Sequence, residues 1–90
     1  MKKTIKEYEY IRIIDVGTSK SGLTKRFVVE SMFKGGIVGM IKYKAQWRKY
    51  AFFPVKDSYF EEVCLYNLAS FVNVINYKLK NERKYKKSRN

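Results

Sequence analysis

Ninety residues suffice for one domain, and 20 lysines and arginines stand against 8 aspartates and glutamates, a formal charge of +12. Histidine is absent and cysteine occurs once, which excludes imidazole general bases, zinc sites of the usual ligand sets and internal disulfides. An apolar share of 46%, with 17% aromatic residues, excludes a chain too polar to fold and supplies a core.

The positive charge is not confined to the C-terminal end. Between Lys25 and Lys56 the basic residues Lys25, Arg26, Lys34, Lys42, Lys44, Arg48, Lys49 and Lys56 face a single acid, Glu30. A folded segment of that balance attracts polyanions, nucleic acid first, then an acidic protein surface or anionic lipid. The lone Cys64 lies in an apolar helical pattern and reads as a reduced core residue of a cytoplasmic protein. Lys2 and Lys3 are followed by Ile5-Lys6-Glu7 rather than an apolar signal region. No apolar run approaches the ~18 residues of a membrane span, so no membrane partner is expected.

Taken in order, residues 1–7 read as a frayed lead-in. Tyr8 to Val16 is rich in strand formers, with Ile11 and Ile13 on one face and Tyr8, Tyr10, Arg12 and Ile14 on the other. Gly17 to Gly22 is a loop by composition, and its Gly and Lys spacing does not match a phosphate loop. Lys25 to Phe33 is the second strand, Phe27 and Val29 opposing Arg26, Val28 and Glu30. Lys34-Gly35-Gly36 signals a tight hairpin. Ile37 to Tyr43 is the third strand, and Gly39 within it marks a bulge or a close approach. Ala45-Gln46 is a short turn, and Trp47 to Val55 the fourth strand.

The helix follows. Ser58-x-x-Glu61 has the form of a capping box, and Leu65, Leu68, Ala69, Val72, Ile75 and Leu79 recur at steps of three and four. Phe60, Cys64, Phe71 and Val74 widen that stripe beyond what a surface helix needs, which predicts deep packing or a homodimer. The predicted fold is α+β: a four-stranded antiparallel β-meander followed by one long C-terminal α-helix packed on one face. A β-β-β-β-α domain occupies residues 1–80 and a basic C-terminal tail residues 81–90.

Chemistry concentrates at Tyr43 to Pro54. This stretch holds the only Trp and the only Pro, with Tyr43, Tyr50, Phe52 and Phe53 interleaved with Lys44, Arg48 and Lys49 and no acid. Choosing the helix-facing set by apolarity gives Ile11, Ile13, Phe27, Val29, Ile37, Ile41, Tyr43, Ala51, Phe53 and Val55, with Trp47 also core-facing. The opposite face then carries Tyr10, Val28 and Met40 with the predicted nucleic-acid-binding residues Arg12, Arg26, Lys42, Lys44, Arg48, Tyr50 and Phe52. Single-stranded DNA or RNA is favoured, because the one helix has an acidic start and a broad apolar face unsuited to a major groove. The alternative partner is an acidic protein surface. The scattered carboxylates predict no enzyme, no cofactor, no metal and no small-molecule substrate.

The segments Gly39 to Tyr43, Trp47-Arg48-Lys49-Tyr50-Ala51-Phe52-Phe53-Pro54, Cys64-Leu65 and Ala69 to Val72 resemble a group of small bacteriophage and mobile-element proteins. Tyr43 and Ala51 stand where the group's pattern has Trp and Cys. The resemblance covers about the second half of the chain. It implies a phage or mobile-element origin, hence the cytoplasm of a bacterial host, and carries no activity with it. The strand and helix order also resembles the single-stranded-DNA-binding transcriptional coactivator fold, which implies a dimer. That likeness rests on topology and charge alone.

Overall fold

A computed structural model describes residues 3–20, 22–33 and 35–88, with side chains as far as residue 81. Strands β1 (Lys3–Glu7), β2 (Ile11–Thr18), β3 (Lys25–Ser31), β4 (Ile37–Lys44) and β5 (Lys49–Pro54) precede the helix α1 (Glu62–Ser88). Each strand pairs antiparallel with the next, giving a five-stranded sheet in the order β1-β2-β3-β4-β5. The α+β class, the antiparallel sheet and the C-terminal helix agree with the sequence, while the strand count does not. Residues 3–7 are an edge strand rather than a lead-in. Its five residues are all exposed, so no burial pattern marks it; the ladder to β2 orders it. Its charges and the register shift between Thr4 and Lys6 blunt the edge against further pairing.

The core lies between one sheet face and α1. Ile11 and Ile13 of β2, Phe27 and Val29 of β3, Ile41 of β4 and Tyr50 of β5 are buried there with Cys64 and Leu68 of the helix. Phe27 meets Phe71 and Tyr50 edge-on at centroid separations of 5.3 and 6.5 Å. Tyr43 meets Tyr50 at 5.7 Å, and Phe52 meets Phe60 at 5.2 Å. Such perpendicular pairs bring a positive ring edge to a negative ring face.

The phase predicted for β5 is inverted. Tyr50 and Phe52 face the helix, whereas Trp47 is exposed and Ala51 and Phe53 lie on the other face. The cause is loop parity. Lys44 pairs with Lys49 across the four residues Ala45–Arg48, and any even-numbered hairpin loop pairs odd positions of one strand with even positions of the other. Gly39, Ile41 and Tyr43 therefore share their face with Phe52 and Tyr50. Gly39 is the close approach that the sequence signalled: a Cβ there would run into the Phe52 ring, so the missing side chain is the seat of that aromatic. Ile37 also leaves the predicted core set. A register shift between Val29 and Glu30 pairs it with Glu30 and leaves it 57% exposed. Val55, predicted to face the helix, is exposed beyond the end of β5.

The helix start differs as well. Ser58 does not cap it; its hydroxyl donates back to the Val55 carbonyl at 2.6 Å. Glu61 is the cap, its Oε1 accepting the Cys64 N–H at 2.6 Å. The inward stripe is Cys64, Leu68, Phe71, Val72, Ile75 and Leu79, with Leu65 and Ala69 turned to solvent. Phe60, Cys64 and Phe71, which widened the predicted stripe, are used within the chain's own core. The homodimer expectation therefore loses the residues it rested on, apart from Val74. The helix passes the predicted boundary at residue 80 and continues to Ser88; residues 89–90 of the predicted tail, and Lys34 of the hairpin, lie outside the described residues.

Because Phe52 fills the space over Gly39, Phe52→Ala is expected to cost ~3 kcal/mol in urea unfolding. Phe53→Ala is expected to cost about 1 kcal/mol or less. The reverse order would overturn the observed phase of β5. Acid sensitivity has two sources. The Gly17 N–H bond at 2.8 Å, and secondly Lys25 at 3.2 Å, hold the Asp15 carboxyl below its usual range. The Cys64 N–H does the same for Glu61. Both contributions are present above the unfolded carboxylate pKa of ~4 and are lost as pH falls through the lower folded values. The melting temperature should drop on acidification from pH ~5 to ~3, and an Asp15→Asn/Glu61→Gln double variant should flatten that drop.

Candidate nucleic-acid interface

The helix covers one face of the sheet, and among the described residues nothing covers the other. Register assigns the side chains of this open face. Ile14, Val28, Met40 and Phe53 are successive cross-strand partners and form a half-buried apolar row across four strands. On one side of it, Arg26 pairs with Lys42 and Lys42 with Ala51, while Lys44 pairs with Lys49. On the other side, Glu7 pairs with Arg12 and Arg12 with Glu30.

These two ends differ in charge. Arg12 donates from Nη1 to Glu30 Oε1 at 3.0 Å, and its Nε lies 3.4 Å from Glu7 Oε2, so two carboxylates surround one guanidinium. At the opposite end, no ion pair with a carboxylate engages Arg26, Lys42, Lys44 or Lys49 among the described residues. Like charges directly opposite each other in a ladder destabilise a sheet, so Lys44 against Lys49 lowers stability unless an anion neutralises them. Two of these cations, Lys42 and Lys44, rest instead on aromatic rings. Lys42 Nζ is 4.7 Å from the centre of Phe53, and Lys44 Nζ is 5.9 Å from that of Trp47. Both are cation–π distances.

Of the seven residues predicted from sequence, the open face brings together Arg26, Lys42 and Lys44. Arg12 shares that face but is held by Glu7 and Glu30. Arg48 sits in the β4–β5 turn with φ 56°, its N–H donating to the Lys44 and Ala45 carbonyls. Tyr50 and Phe52 leave the candidate site altogether. Burial in the aromatic core takes their rings, and the Tyr50 hydroxyl accepts the Lys25 N–H at 3.1 Å. In their place the structure supplies Trp47, Lys49 and Phe53. The parity of the β4–β5 loop was the available signal for Lys49 and Phe53.

Asn76 was also missed. Its Oδ1 accepts the Tyr50 N–H at 2.6 Å and its Nδ2 donates to the Tyr50 carbonyl at 3.1 Å. The amide thus occupies the outward backbone groups of Tyr50 on edge strand β5, and Pro54, which lacks an N–H, lies at an outward position of the same strand. Both features discourage an incoming chain from extending the sheet at this edge.

Among the described residues no three His, Cys, Asp or Glu side chains are grouped to hold a metal ion, and no helix is long and apolar enough to cross a membrane. Comparison with family models, curated proteins and solved structures returned no match for this chain.

Trp47, the only indole, is 64% exposed in the turn. Its emission in the native protein should resemble that of the unfolded chain, and acrylamide should quench it freely. A blue-shifted, protected emission would place Trp47 in a core or an interface.

Proposed function

We propose that the protein binds single-stranded nucleic acid on its open sheet face, and that it serves a phage or mobile element. The observation that carries the reading is the cation cluster Arg26, Lys42, Lys44 and Lys49, which meets no carboxylate partner among the described residues and lies beside Phe53 and Trp47. A single strand offers what that surface lacks. Its phosphates neutralise the cross-strand lysines, and its unpaired bases stack on the two rings as Lys42 and Lys44 move from ring to phosphate. An open sheet face suits splayed bases better than it suits the groove of a duplex, and α1 offers no recognition surface, since its inward side is core and its start is acidic.

Fluorescence anisotropy with a labelled single-stranded oligonucleotide over a salt series tests this. Trp47→Ala and Phe53→Ala should each weaken binding by ~1–3 kcal/mol. Lys42→Ala should lower the salt slope by about one unit. Arg12→Ala should leave both unchanged, because Glu7 and Glu30 already neutralise Arg12. Absence of binding at low salt would overturn the reading and favour the acidic protein surface as partner.

A further inference from the structure

Ile14, Val28, Met40 and Phe53 are consecutive partners on four adjacent strands, and Thr4 on β1 ends the row. The solvated face of an antiparallel sheet ordinarily carries polar side chains, whereas these four successive positions are apolar and only half-buried. The apolar surface left in water is therefore one continuous strip rather than scattered single residues. Three inter-strand spacings of ~4.8 Å make the strip ~14 Å long, the length of about four stacked bases at ~3.4 Å each.

The strip has a cationic border. Arg26 and Lys42 stand two positions along β3 and β4 from Val28 and Met40, on the same face and ~6.6 Å away. Lys42 reaches back over the strip, its Nζ 4.7 Å from the centre of the Phe53 ring. Strip and border thus run side by side across the strands. That order matches one nucleotide strand laid across the sheet, with bases over the strip and phosphates along the border.

The chemistry of the strip selects the base. Phe53 offers a ring for stacking, which every base accepts. Ile14 and Val28 end in alkyl groups and Met40 in a thioether methyl, all of which gain by covering apolar atoms. Among the standard bases thymine alone carries an alkyl substituent, its C5 methyl. We propose that the strip is a thymine-selective platform, in which Ile14, Val28 and Met40 receive C5 methyl groups while Phe53 stacks, so that the ligand is thymine-bearing single-stranded DNA rather than RNA. The platform deepens the nucleic-acid reading and rests on it for the strand itself. Each methyl that leaves water against these side chains favours thymine over uracil about fourfold.

The test begins with the parent protein, full length, at low ionic strength. Octamers of deoxythymidine and deoxyuridine differ only in the methyl. The deoxythymidine octamer should bind about tenfold more tightly, as expected for about two covered methyls, with equal salt slopes because the phosphates are the same. Ribo-octamers of 5-methyluridine and uridine should show the same ratio, since the methyl and not the sugar sets it. Val28→Thr and Met40→Gln keep the shape of each side chain, and the double variant should reduce the ratio to about threefold or less without changing the salt slope. Equal affinity of the two deoxy-octamers would overturn the platform and leave the open-face reading standing. A ratio seen in the deoxy pair and absent from the ribo pair would overturn it too. A dimer in sedimentation that persists at saturating deoxythymidine octamer and is dispersed by Met40→Gln would give the strip to a second copy and overturn the platform. No binding of any octamer would remove the platform and the nucleic-acid reading together.

Discussion

Two hydrogen bonds between the Asn76 side-chain amide and the Tyr50 backbone tie the helix to the last strand of the sheet. Because Asn76 can reach Tyr50 in only a narrow range of helix rotations, the clamp selects which side of α1 faces inward. Leu68, Phe71, Val72, Ile75 and Leu79 then fall on the core, and Leu65 and Ala69 fall outside it. The same clamp satisfies the outward backbone groups of Tyr50 on the edge strand β5. Loop parity and the space over Gly39 commit Tyr50 and Phe52 to the side that the helix covers, which decides what remains for the surface.

What remains follows from conservation of faces. Each strand has two sides, and every aromatic that α1 covers is one that the open face does not have. With Phe27, Tyr43, Tyr50 and Phe52 packed inside, the open face keeps Phe53 and the row Ile14, Val28 and Met40. The basic residues that alternate with the buried aromatics are thereby gathered on the exterior. Stability and charge segregation are two results of one alternation: the pattern that supplies the core also lines up Arg26, Lys42, Lys44 and Lys49.

The open face is also electrostatically divided. Glu7 and Glu30 close on Arg12 at one end, while the other end carries positive charge into the β4–β5 turn and around it to Lys80. Exposed pairs such as Lys25 with Asp15 contribute little to stability, so this arrangement is better understood as patterning of a surface than as reinforcement of the fold. A polyanion approaching such a surface is oriented by it, since only one end offers neutralisation.

The sequence by itself determined the α+β class, the antiparallel order of the four strands β2 to β5 and the helix, because alternation and helical periodicity are local properties of the chain. It also placed Ile11, Ile13, Phe27, Val29 and Ile41 in the core, where apolar and polar positions alternate cleanly. It could not settle β5, in which both faces are aromatic and apolarity has no contrast to measure; loop parity and the space over Gly39 decided that Tyr50 and Phe52 go in. It missed β1, whose order comes from pairing with β2 and not from burial. The candidate site was legible as basic charge beside aromatic rings at Lys42 to Phe53, yet its membership was not. Which rings are accessible depends on which side the helix covers, and that is set by contacts between residues far apart in the chain, the packing of α1 on the sheet and the bond between Tyr50 and Asn76 among them.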